Sequence, residues 1–227
     1  MRARMAPAPG EIGAAATVLA PFVALAAALL ATAPPTAEQR LAADPVIRWI
    51  DAWGGTWLPV AIAGTICLAW RLAASPSGDE LAQALRLALA GALAATLVAL
   101  ALRVVFGSHL PAAIPPEESA APGLALGLAA GTLEEAVFRL VALPLLLGIG
   151  LRVFDERAAP LLAIAATGLL FALAHQLSPD ADAVTRHFVV RMLIPGAAMS
   201  ALFLRPGPAF VVSAHATAHL WIPALFR

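Results

Sequence analysis

The sequence predicts an all-α protein, a polytopic transmembrane bundle of seven to eight spans. Two observations carry this expectation. Of the 227 residues, 61% are hydrophobic and only 12% charged, with a mean hydropathy of +0.87, whereas a soluble domain usually carries about 25% charged residues. The apolar residues also gather into runs of about twenty, the length an α-helix needs to cross a hydrocarbon core. Helices satisfy their backbone hydrogen bonds internally, which lipid cannot do for them.

The first run, 12–33, follows Arg2 and Arg4 as a signal-peptide core would. It is long enough to span and is expected to be a retained helix. Further runs lie at 55–74, 82–106, 122–149, 158–177, 186–204 and 208–226. The run at 122–149 is too long for one straight span and contains Pro144, so it should tilt, kink or divide. That leaves the count at seven or eight. The connections, such as "ASPSGDE" and "RVFDER", are too short to be soluble domains. The chain is therefore expected to be a single membrane domain over 1–227, with N-terminal spans in 1–120 and its intramembrane acids and histidines in 121–227.

Formal net charge is zero and no basic run occurs, so the lipid bilayer is an expected partner and nucleic acid is not. A single cysteine, Cys67, excludes a disulfide framework or a CxxC metal site. All fourteen basic residues are arginine and alanine is abundant. That pattern suggests a GC-rich bacterial gene and hence a multi-pass protein of the inner (plasma) membrane. Trp49, Trp53, Trp57, Trp70 and Trp221 lie near run ends, as interfacial anchors do. His187 and Arg191 share a face at the start of the sixth run and are also expected to anchor.

The stretch "GTLEEAVFRL" breaks the apolar pattern, with Glu134, Glu135 and Arg139 near mid-span. A single charge at the bilayer centre costs about 2.5–3.5 kcal/mol on insertion scales. Glu135 and Arg139, four residues apart, share a helix face and can pair. Glu134 points about 100° away from that face, which leaves it available as an acid or base. His215 and His219, also four apart, put both imidazoles on one face of the last run. A histidine pair at this spacing can bind a metal or hydrogen-bond across helices. His175 closes the fifth run, where an interfacial position is the simplest expectation.

In chain order these residues read EExxxR (Glu134, Glu135, Arg139), FxxxH (Phe171, His175) and HxxxH (His215, His219), each on a separate apolar run. The pattern resembles the CPBP family of intramembrane endopeptidases, which includes the CAAX proteases and bacterial Abi-type and myxosortase-type proteins. The resemblance implies a catalytic core over 121–227 and a membrane-associated protein or peptide as substrate. It implies that Glu134 and His175 activate a water, that His215 faces the oxyanion, and that Glu135 and Arg139 orient Glu134. The family's HxxxN asparagine is replaced here by His219, which can also donate a hydrogen bond. No cofactor is expected, although Glu134, His175, His215 and His219 also form a plausible zinc set. The alternative function is a non-enzymatic proton-coupled transporter or scaffold that uses these groups as relay or packing residues.

Overall fold

Each apolar run that falls on described residues forms a helix. The computed structural model describes residues 6–32, 34–35, 55, 57–106, 120–176 and 193–225. Helix α1 is Pro9–Thr32, α2 Leu58–Ala74 and α3 Gly78–Phe106. The fourth run comprises α4 (Ala120–Glu134), a π-helical segment (Glu135–Ala142) and α5 (Leu143–Val153). Then come α6 (Ala158–Gln176), α7 (Ile194–Leu204) and α8 (Pro208–Leu225). No strand occurs among the described residues. His109, His187, Arg191, Trp49 and Trp53 lie outside the described residues, as does the start of the run expected at 186–204.

Among the described residues, four helical segments are long and apolar enough to cross a membrane: Pro9–Thr32, Gly78–Ala101, Leu124–Val153 and Ala158–His175. Leu58–Ala74 and Ile194–Leu204 are shorter apolar helices. The outward face is greasy, with Leu68, Leu72, Leu89, Leu93 and Leu161 all exposed, as suits a surface solvated by acyl chains. Helix α6 is preceded by Asp155, whose Oδ1 accepts the N–H groups of Ala158 and Arg157, each at 2.8 Å. These two N–H groups hold the Asp155 carboxyl below the usual carboxylate range.

Helix α1 lies at the centre and packs against α2, α3, α4 and α8. Its Ala14, Ala15, Ala16, Leu19 and Ala26 are fully or almost fully buried. Small side chains let the backbones approach, the usual basis of helix packing in lipid. Helix α8 lies along α3, where Gly91 faces the Phe210 carbonyl so closely that a Cβ could not be accommodated. The Ser213 hydroxyl donates to the Ala88 carbonyl across the same seam, at 2.8 Å. Beyond α4, the chain packs α5 on α6 and α6 on α7.

The long fourth run divides as its length and proline suggest, through a π-helical segment in which the Leu143 N–H donates to the Phe138 carbonyl, five residues back. Pro144 follows at the start of α5 and has no N–H to give the Leu140 carbonyl in an α-helical register. That carbonyl instead receives the Trp70 indole N–H, at 2.8 Å. Trp70, expected as an interfacial anchor, thus also bonds within the bundle. Its ring is partly buried against the core, because an orphaned carbonyl in an apolar environment is costly. Trp57 is half-exposed, as an anchor would be.

Trp70→Phe is expected to destabilise the fold by about 1 kcal/mol, in the range of interhelical hydrogen bonds in membranes. In a Pro144→Ala background, which restores an N–H to the Leu140 carbonyl, the same substitution should cost less. Unfolding in detergent of the four proteins of this cycle measures the difference, and equal costs in both backgrounds would exclude the proposed exchange of donors.

Candidate active site

Three elements converge on one point. Glu134 ends α4 and Glu135 begins the π segment, both buried. His175 sits in the last turn of α6, only 5% exposed, so it is an interior residue rather than an interfacial one. His215 and His219 project from the middle of α8. Of the residues singled out in the sequence, Glu134, Glu135, His175, His215 and His219 are thus brought together, with Arg139 one turn further along the π segment.

Hydrogen-bond partners assign the protons on these rings. His175 Nδ1 lies 2.8 Å from the Phe171 carbonyl oxygen, which can only accept, so Nδ1 donates and the neutral ring keeps its lone pair on Nε2. That lone pair faces Glu134 Oε1 at 3.5 Å. His215 Nδ1 donates to Glu135 Oε1 at 2.7 Å, which likewise leaves the lone pair of the neutral ring on Nε2. His215 Nε2 lies 3.6 Å from Glu134 Oε2 and 3.2 Å from His219 Nε2. In the neutral pair the proton in the contact between the two histidines belongs to His219.

The Glu134 carboxylate thus lies between two imidazole nitrogens, with His175 Nε2 3.5 Å from Oε1 and His215 Nε2 3.6 Å from Oε2. Oε1 has no hydrogen-bond partner of its own among the described residues. Facing lone pairs repel unless hydrogen or a cation lies between them. A proton on His175 Nε2 meets this requirement, and so does a metal ion. Glu134, His215 and His219 offer ligand atoms all within 4.8 Å of one another, the ligand number of catalytic zinc sites that keep one position open. His175 does not join that trio. The Glu135–His215 bond also matches the carboxylate that commonly orients a zinc-bound imidazole.

Arg139 is fully buried. Its Nε lies 3.5 Å from Glu135 Oε1, and none of its three nitrogens has a hydrogen-bond partner among the described residues. Its guanidinium stacks over the Phe171 ring at 4.7 Å from the centroid, a cation–π contact strengthened by exclusion of water. The expected pairing of Glu135 with Arg139 is therefore present as an ion pair, while the shortest contact of Glu135 is with His215. Phe171 serves twice, its carbonyl setting the His175 proton and its ring supporting Arg139. The FxxxH spacing puts that carbonyl four residues before His175, but nothing in the spacing signals the ring's role. The π segment was not expected from the sequence either.

Residues 116–221 match a family model described as type II CAAX prenyl endopeptidase, Rce1-like. No curated protein and no solved structure matches the chain.

Arg139→Ala should destabilise the bundle by about 3–5 kcal/mol, the usual cost of removing one partner of a buried pair. Adding Glu135→Gln removes the stranded charge yet keeps an acceptor for His215, and should recover part of the loss. If thermal unfolding found the double variant no more stable than the single, Glu135 and Arg139 would not be energetically paired.

Proposed function

We propose, from the premise that residues 116–221 belong to the CPBP (CAAX-protease) family, that this protein is an intramembrane endopeptidase hydrolysing a peptide bond in a membrane-associated protein or peptide. The observation that carries the reading is the Glu134 carboxylate facing the Nε2 lone pair of His175 at 3.5 Å. A water donating to both is polarised on both O–H bonds. As its oxygen attacks the scissile carbonyl carbon, Glu134 takes a proton, then passes it to the amine as the C–N bond breaks.

The developing oxyanion needs a donor. In the neutral pair that donor is the His219 Nε2–H, which exchanges His215 Nε2 for the oxyanion; in a dry site such a bond contributes several kcal/mol. Glu135 and Arg139 hold His215 and the π segment in place. The arginine-only basic set supports a bacterial source and the inner membrane as location. A proton-coupled transporter or scaffold is the less favoured reading, since the family match covers all three motifs.

The convergence of Glu134, His215 and His219 within 4.8 Å favours one variant of this reading, a zinc-dependent peptidase. Bound there, zinc would supply Lewis-acid polarisation of the scissile carbonyl.

Glu134→Gln should reduce cleavage by about 10²–10⁴-fold while leaving insertion and folding intact. The assay is proteoliposomes carrying the purified protein and a quenched fluorescent lipidated peptide with a CAAX-type end; near wild-type turnover would remove Glu134 from the general-base role. His219 separates the two chemistries. With a water-only site, His219→Asn should keep most activity, His219→Ala should lose about 10²–10³-fold, and chelators should have no effect. With zinc, the asparagine variant should fail almost as badly as alanine, and metal analysis should find stoichiometric zinc in the wild type alone.

A further inference from the structure

Helix α8 reaches the site across a shallow groove on α4 between Gly127 and Gly131. A Cβ at Gly131 would lie 2.5 Å from His219 Cδ2, 3.1 Å from Cγ and 3.2 Å from Nε2. Real Cβ atoms do not approach ring atoms so closely, so the imidazole occupies space that exists only because residue 131 has no side chain. At Gly127 a Cβ would meet His219 Nδ1 at 3.6 Å and its carbonyl oxygen at 3.5 Å, which is ordinary contact. The constraint is therefore concentrated at one position. The ring lying on Gly131 is the same ring whose Nε2 meets His215 Nε2 at 3.2 Å.

We propose that Gly131 is the positioning residue for His219. The bare backbone at 131 forms the seat against which the imidazole lies, and this seat sets the direction of its Nε2–H towards His215 and the Glu134 carboxylate. A methyl group there displaces the ring from α4 into the cluster or out of it, and either movement breaks the contact between the two histidines. The backbone at 131 does not itself call for glycine, because the residue lies within helix α4 and has no positive φ. Alanine is a better helix former than glycine, so the sign of the substitution's effect depends on what occupies 219.

The inference rests on the peptidase reading for its kinetic part only. Gly131→Ala is compared in three backgrounds, the wild type, His219→Asn and His219→Ala, by thermal unfolding in detergent and by peptide cleavage. In the wild-type background the substitution should lower Tm by several degrees, as overpacking does. In the His219→Asn background the loss should shrink, and in the His219→Ala background it should vanish or reverse. With His219 in place, kcat should fall about 10²-fold with little change in KM, the cost of misplacing a catalytic group by about 1 Å. Gly127→Ala serves as the control and should be nearly silent. If Gly131→Ala alone failed to fold, recovery of folding by adding His219→Ala would support the same coupling. The proposal is overturned if Gly131→Ala shifts Tm equally in all three backgrounds, or if kcat is unchanged with His219 present. Absence of any cleavage by the wild type would instead count against the peptidase reading, and the unfolding comparison would still decide the pair.

Discussion

The hydrogen bond from His215 Nδ1 to Glu135 Oε1, 2.7 Å long, is the contact on which the rest of the site depends. It joins α8 to the start of the π segment, two elements eighty residues apart in sequence. It puts a ring proton on Nδ1 and leaves His215 Nε2 facing His219 and Glu134. The same carboxylate faces the permanently charged Arg139 guanidinium, so one buried acid balances a cation and aims an imidazole at once. Without it, His215 would lose its shortest polar contact with the rest of the bundle.

The site is polar, and its enclosure comes from the other half of the chain. Helix α1 carries none of the matching motifs, yet it packs on α4 and α8 and buries Ile12, Ala14, Ala15, Ala16, Val18 and Leu19. Its alanines let the motif-bearing helices close over the carboxylates. The hydrophobic cluster runs without a break from Ile12 to Val212, so the N-terminal spans form the wall of the site.

Much of this was legible in one dimension. Apolar runs of about twenty residues marked the helices because lipid permits little else, and the charged trio in "GTLEEAVFRL" marked the site because lipid penalises charge. Spacing of four placed His215 beside His219 and Glu135 beside Arg139. Contacts that join one helix to another have no period and could not be read in this way: His215 with Glu135, the Trp70 indole with the Leu140 carbonyl, and Arg139 with the Phe171 ring. Trp70 shows the limit well. A tryptophan at the end of a run suggests an anchor, and only Pro144, far along the chain, reveals an unpaired carbonyl that needs its N–H.

The π segment has a geometric effect beyond the active site. A π turn holds more residues than an α turn, so each residue advances the helix by a smaller angle. Over Glu135–Ala142 the lag adds up to roughly 100°, about the angle between neighbouring residues on an α-helix. The segment works as a phase shifter within one continuous rod: α4 turns its packed face to α1 and α8, whereas α5 turns its own to α6. A regular α-helix through the same residues would leave the packed face of α5 turned about 100° away from where it now meets α6.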